Sequence, residues 1–376
     1  MERFYDMWES TPESLESLRE LVSAPKQWKR IKISGIKFRP ADAVNLFGKK
    51  NGSNYLYAPE VTAEAVADTQ KHLRLAVKAG KYWYPCREQA YKTILDRAHI
   101  NGTVLQRLTE KELCGILNTC YKKFQGDKDY ALFLIDQQKV TAIHSGGEKD
   151  YAVLPQDELF KALDLGLQRF GKVDYTGGYI SHQYTICNLM FSEKRYELLG
   201  SYLKVLQENG KGALADKLMP GIKFVTSDAG VAASKVCAYL FGPYIPIVVG
   251  SAISIDHRSG ATVEKFSEEL SGLFSKYVDA VQQLADLSEI KLFYPVNAMT
   301  AVCKKLRMPK KPAMEAIAMF ESVTPGVASA ADVYLAMHEI LADSEISQGD
   351  RFVLEENMSR ALTLNWKKYD LAKVSW

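Results

Sequence analysis

Three histidines, His144, His182 and His257, end or interrupt segments that alternate like β-strands. Asp228 and Asp256 lie in turns beside two of those segments. Imidazoles and carboxylates together can serve acid–base catalysis or hold a divalent metal. Their convergence would give a hydrolase or a metal-dependent nuclease using Asp228, Asp256 and His257. The local spacing does not support this: none of these histidines is four residues from another, and histidines at strand ends are usually just hydrogen-bonded. The sequence therefore names no catalytic residue, no metal ligand and no cofactor, and points to binding rather than catalysis.

Other signatures are missing as well. Gly210-Lys-Gly212 lacks both the spacing of a P-loop and the hydroxyl after its lysine, and there is no G-x-G-x-x-G, H-E-x-x-H or G-x-S-x-G. Ser227-Asp-Ala-Gly230 can present backbone N–H groups to a phosphate, but its composition is that of an ordinary tight turn. The six cysteines form no C-x-x-C and sit mostly among apolar neighbours, as buried free thiols do.

Two stretches combine cations with aromatic rings. Between Pro25 and Lys50 stand Lys26, Lys29, Arg30, Lys32, Lys37, Arg39, Lys49 and Lys50 against one acid, Asp42, with Trp28, Phe38 and Phe47 among them. Further on, Tyr82-Trp83-Tyr84-Pro85 is flanked by Lys78, Lys81, Arg87, Lys92 and Arg97. Cationic side chains neutralise phosphates and aromatic faces stack on bases. The expectation is a single-stranded DNA contact set of Lys29, Arg30, Lys32, Lys37, Arg39, Lys81, Trp83 and Arg87. It requires the regions around Trp28 and Trp83 to fold into one positively charged cleft. The competing reading is a solvated charged strand over packed rings, with the second aromatic run anchoring neighbouring parts of the chain.

Strands must position these groups. Lys172 to Phe191, KVDYTGGYISHQYTICNLMF, is the clearest strand signal. After Gly177 and Gly178, Ile180, Tyr184, Ile186 and Met190 are set against Ser181, Gln183 and Thr185, which predicts a central hairpin with one face in a core and a polar row free. RIKISGIKF (30–38) predicts a strand with a glycine bend, 130–135 and 140–144 a hairpin, 221–226 a strand, and 245–256 edge strands, while 231–241 fits strand or helix. Runs of hairpins argue for an antiparallel sheet. Helices are expected over 1–24, starting at Ser10 or Thr11, over 58–78, from a Thr109–Glu112 capping box to about Tyr121, over 155–170 and over 192–207. From Ala261 onward the pattern is helical. Apolar residues from Val263 to Leu287 make a seam that suits a coiled coil or, given Tyr277, Ala280 and apolar flanks, a helix packed inside the molecule.

The chain of 376 residues exceeds the usual single-domain size, and its 47% hydrophobic content supplies ample core. The expected division is a basic, aromatic-rich, mainly helical part (1–125), an antiparallel sheet core with inserted helices (126–258) and a helical C-terminal part (259–376). The fold class is α+β: a central antiparallel sheet of hairpins with helices packed on it. The N-terminus lacks a basic start followed by an apolar run, and the apolar stretch Val231 to Ser254 is cut by Lys235, Gly242, Pro243 and Pro246. These features predict a cytoplasmic protein with reduced thiols and no membrane partner.

The order of SDAG (227–230), the small apolar stretch after it, Asp256-His257 before a long helix, YPVNAM (294–299) and LEENMSRALTLNWKKYD (354–370) resembles the phage/plasmid-like protein family. That family is a domain of unknown function carried by phages and conjugative elements. The resemblance covers roughly the last 160 residues and carries over no catalytic residue. It implies a mobile-element protein acting on DNA or on host defence. The function expected is single-stranded DNA binding or annealing in recombination or transfer. The alternatives are a protein-interaction factor, either an inhibitor of host defence or a self-assembling homo-oligomer, and the nuclease or hydrolase above.

Overall fold

The computed structural model describes residues 2–41, 63–80, 82–123, 130–146, 150–243, 246–250, 253–258, 260–324 and 326–376. The chain opens with a 3-10 turn, Glu2–Phe4, and the short strand β1, Glu9–Ser10. The first helix is only Leu15–Val22, because Ser14 rather than Ser10 or Thr11 caps it: Ser14 and Ser17 each accept the other's backbone N–H.

Strand β2, Gln27–Lys32, leads through a 3-10 bend at Ile33–Gly35 into β3, Lys37–Pro40, as the glycine-bend pattern predicts. The helix expected over 58–78 is shorter, Ala63–His72, and is followed by strand β4, Leu75–Ala79; residues 58–62 lie outside the described residues. Leu73 and Val77 suit a helix, but Leu75, Val77 and Ala79 also alternate, and pairing with β3 on one side and β5, Tyr82–Pro85, on the other decides the matter. Strands β6, Tyr130–Asp136, and β7, Lys139–Ser145, form a hairpin whose turn residues Gln137 and Gln138 both have positive φ, and β2 joins its β6 edge. A parallel bridge from Cys86 to Val140 links this second sheet to β3–β4–β5. The helices Glu88–Arg97 and Glu110–Lys122, the latter opened by the expected Thr109–Glu112 box, close a core containing Phe38, Val77, Tyr84, Leu117, Tyr121 and Phe133.

The larger sheet runs β1–β8–β9–β10–β11–β12, with β13 also on β11, and every pairing is antiparallel. Its strands are β8, Asp174–Ser181; β9, Thr185–Met190; β10, Met219–Thr226; β11, Ser234–Phe241; β12, Ile247–Val248; and β13, Ile253–Ile255. Helices including Gln156–Leu167, Arg195–Glu208, Val263–Ser271 and Leu273–Ser288 cover one face, and the described residues after 294 are mostly helical. The expected α+β architecture is therefore the one observed. The ambiguous 231–241 segment is a strand. The apolar seam breaks at Gly272 and its side chains, among them Phe266, Leu270, Tyr277 and Leu284, are buried in the main core, so it forms no coiled coil. Among the described residues no helix is long and apolar enough to cross a membrane.

Two details differ from the sequence pattern. Ile180 lies in the helix-covered core with Cys187 and Leu189, whereas Tyr184 and Ile186 face the other side with Phe352; the chain reverses between β8 and β9, so side-chain parity does not carry across. Thr185, expected on a free polar row, is buried and donates to Gln156 Oε1. The cores also do not part near residue 125. The 130–145 hairpin belongs with β2, while Leu18 and Val22 belong to the larger core.

Gly221 is the most closely confined of the described glycines. A Cβ there would lie 2.2 Å from the Leu189 carbonyl oxygen and 2.4 Å from the Phe241 ring. Gly221→Ala is expected to cost about 1–3 kcal/mol, read as a lower urea midpoint with an unchanged m-value.

Candidate nucleic-acid interface

The described members of the expected contact set do not form one cleft. Lys29 turns inward and donates to the Tyr84 hydroxyl at 2.8 Å. Successive strand residues face opposite ways. Trp28, next to Lys29, and Trp83, next to Tyr84, therefore point away from the core that Lys29 and Tyr84 share. The Trp28 and Trp83 regions occupy outward faces of two different sheets, with that core between them.

Arg87 is buried and takes no part in either face. Its guanidinium lies 3.4 Å from Asp6 and 3.6 Å from Asp136. Lys81 lies outside the described residues, as do Phe47, Lys49 and Lys50. Lys37, Arg39, Lys78 and Trp83 share the outer face of β3–β4–β5, with the Arg39 guanidinium 4.3 Å over the Trp83 ring. Lys37 is exposed there; the other three are half-buried.

The outer face of β2–β6–β7 carries the other group. Its register puts Lys32 opposite Tyr130, Arg30 beside Leu132 and His144, and Trp28 beside Leu134 and Ala142. Arg30 and Lys32 are exposed, and their cationic groups lie 4.7 and 6.0 Å from the Tyr130 ring centre. Toward the large sheet this face continues into a column of rings. His144 stacks on Tyr151 at 3.7 Å and 6°, and Tyr151 on His257 at 5.2 Å and 7°, with Trp28 about equally close to His144 and Tyr151. The Tyr151 hydroxyl donates to the Asp228 carbonyl at 3.0 Å. Burial lowers His144 to about 4 and also lowers His257, so both rings are neutral near pH 7. A cavity of about 320 Å³ opens beside the column, bounded by His144, Tyr151, Gly230, Asp256, His257 and Arg258.

Tyr151 carried no sequence signal, since the column exists only once β7, the segment after it and the turn beyond β13 meet. Gly230 permits that meeting: its φ is 70°, and a Cβ on it would come within 2.8 Å of His144. The SDAG turn itself is an ordinary turn. Ser227 accepts the N–H of Gly230 on its carbonyl and that of Val231 on its hydroxyl, which leaves neither for a phosphate.

The residues of the hydrolase reading, Asp228, Asp256 and His257, lie near one another, and each has a partner of its own. Asp228 is buried and ion-paired with Lys26, Asp256 is mostly exposed near Arg258, and His257 Nδ1 bonds the Ala152 carbonyl at 3.1 Å. Burial pushes the Cys187 thiol up to about 12. His182 lies elsewhere, at the junction of the two cores, with Nδ1 3.4 Å from Asp136 and Nε2 2.7 Å from the Tyr5 carbonyl.

At that junction, Asp6, Asp68 and His72 are the one trio among the described residues whose ligating atoms come within 4.8 Å of one another. Their charges are already matched. Asp6 accepts from Lys139 at 3.0 Å and faces Arg87, Asp68 pairs with His72 at 3.0 Å and accepts the Asp6 N–H, and Arg3 pairs with Asp136 at 3.2 Å. Arg3, Arg87 and Lys139 balance the three aspartates, so a divalent ion would add unmatched charge to a buried network. The arrangement is a structural hub bordering a cavity of about 280 Å³. Comparison with known proteins adds no relative to this geometry: no family model, curated protein or solved structure matches the chain.

Proposed function

We propose that the protein binds single-stranded nucleic acid, without catalysis, on the outer face of β2–β6–β7. The observation that carries this reading is the shared face itself: exposed Arg30 and Lys32 over Tyr130, leading into the ring column of Trp28, His144, Tyr151 and His257. The cations lie about 7 Å apart along one strand and can contact successive phosphates, while the Tyr130 ring beside them offers a stacking surface that tolerates any base. The β3–β4–β5 face, with Lys37, Arg39 and Trp83, is the second surface to compare. The resemblance to the phage/plasmid-like family gives the reading a setting, the handling of single-stranded DNA in recombination or transfer.

Fluorescence anisotropy with a labelled oligothymidylate, titrated from low to moderate salt, tests it. The expected result is binding that weakens steeply with salt. In the double variant Arg30→Glu/Lys32→Glu, affinity falls at least tenfold and the log–log salt slope shrinks by roughly 1.4, about 0.7 for each phosphate contact. Tyr130→Ala weakens binding by about 1–3 kcal/mol if a base stacks there. A wild-type protein with no salt slope, or a double variant that binds like wild type, rejects this face. Loss confined to Lys37→Glu/Arg39→Glu would move the site to the other sheet.

A further inference from the structure

The face of the large sheet opposite the helical core is covered by the helix Gln348–Ser359. Ion pairs Lys223–Glu355 at 2.5 Å and Lys235–Glu356 at 2.7 Å hold it there, with the Phe352 ring edge-on to Tyr184. Beside this helix lies a cavity of about 290 Å³, bounded among others by Tyr179, Asn188, Phe241, Leu341, Arg351 and Glu355.

Its polar lining is incompletely used. Asn188 Oδ1 and Arg351 Nε are shielded from solvent and have no hydrogen-bond partner among the described residues. Buried polar groups in folded proteins are nearly always partnered, so two unmet ones lining one cavity call for a partner that enters it. Arg351 and Glu355 are four residues apart and so lie on one side of their helix, yet Glu355 pairs with Lys223 rather than with Arg351. Arg351, Glu355 with its partner Lys223, and Asn188 all line the same cavity, so donors and acceptors border one space. Tyr179 on β8 and Phe241 on β11 supply aromatic walls. The volume is at the small end for ligand sites, suited to one base with its sugar and too small for a dinucleotide.

We propose that this cavity binds a purine nucleoside, with guanine preferred. Arginine donates to the O6/N7 side of guanine, a carboxylate accepts N–H groups of a base edge, and an asparagine amide can do either. The flat ring lies against the aromatic walls. The same chemistry can come from a free nucleoside or from an unpaired base of a polynucleotide, and the proposal is independent of Arg30 and Lys32.

Isothermal titration calorimetry of the full chain with guanosine, adenosine and cytidine, and with a guanosine-containing and an all-thymidine pentanucleotide, tests it. Guanosine is expected to bind at least tenfold tighter than cytidine. Arg351→Met and Asn188→Leu should each weaken it at least tenfold without lowering the melting temperature of the unliganded protein, since each removes an unmet group. Arg30→Glu/Lys32→Glu should leave guanosine binding unchanged, which separates this site from the strand-binding face. Binding of the guanosine pentamer without binding of free guanosine supports the site and makes a polynucleotide its source. No binding of any purine, equal binding of cytidine, or unaltered binding in both variants overturns the proposal and leaves a water-filled cavity.

Discussion

Acidification from pH 6.5 to 4 is expected to unfold this protein. Burial lowers His338 and His144 to about 4 from an ordinary value of 6.5. His182 also falls to about 4, through burial and the Arg87 charge, which together outweigh its contact with Asp136. His338 shows the cause most clearly. Its Nε2 accepts the Val248 N–H at 3.1 Å while Nδ1 donates to the Tyr334 carbonyl at 3.0 Å, so a second proton would turn an acceptor into a donor facing another donor. The unfolded chain takes up these protons near pH 6.5 and the folded chain only near 4. Between those values the unfolded state binds more protons, and stability falls as the pH falls. All three shifts act in the same direction, and each pKa unit is worth about 1.4 kcal/mol against an ordinary domain stability of about 5–15 kcal/mol. Asp136 acts in the same direction at lower pH. Burial by itself would raise it, but the charges of Arg87, Arg3 and Lys26 help hold it well below the usual carboxylate range, so its contribution is lost below about pH 4. Circular dichroism and tryptophan fluorescence against pH measure the midpoint, and His338→Gln, which can still accept from Val248, should move it to lower pH. A midpoint below pH 4 in the wild type, or no movement in the variant, contradicts the histidine account.

How far the sequence anticipates this molecule depends on the range of the forces involved. The β6–β7 hairpin, the helix cap at Thr109 and the antiparallel class come from local preferences that survive folding. Strand β4 is harder, since Leu73, Leu75, Val77 and Ala79 satisfy a helical and an alternating period together and only β3 and β5 decide between them. Part of the candidate interface was legible. Alternation along Gln27–Lys32 separates Lys29 from Arg30 and Lys32, and applying it would have withdrawn Lys29 from the contact set. Arg87 was not legible, because its partners Asp6 and Asp136 lie far off in the chain and nothing in a run of cations says which one will be buried. The ring column and the cavity beside Gln348–Ser359 likewise depend on segments that meet only in the folded state.

Asp6→Ala should be among the most damaging single substitutions in the chain, and Lys139→Met far milder, although the two residues form one ion pair. Lys139 is fully buried and donates to both the Asp6 carboxylate and the Phe4 carbonyl. Removing Asp6 leaves Lys139 without its carboxylate and Arg87 with only Asp136, and an unpaired buried charge costs about 3–5 kcal/mol. Removing Lys139 leaves Asp6 with Arg87, and a buried ammonium is itself a burden: burial lowers Lys139 to about 8 despite the nearby Asp6. Methionine fills similar space without that cost, so the change should be near neutral or stabilising. Urea denaturation of both single variants and the double variant gives the coupling directly. The pH dependence supplies a second readout. A lysine whose folded value lies below its unfolded one makes stability rise with pH between about 8 and 10.5. The difference between wild-type and Lys139→Met profiles should therefore change across that window, and equal damage from both single variants, or parallel profiles, would contradict the argument. The consequence reaches the binding surface. Arg3, Phe4 and Asp6 tie the N-terminal segment to the β6–β7 hairpin, and Asp136 ties that hairpin to His182 between β8 and β9. These bonds join the two cores, and the proposed face needs them joined, because Trp28 and His144 belong to one sheet while Tyr151 and His257 are positioned by the other. Asp6→Ala, assayed at a temperature where it remains folded, should thus weaken oligonucleotide binding without touching any residue of the face.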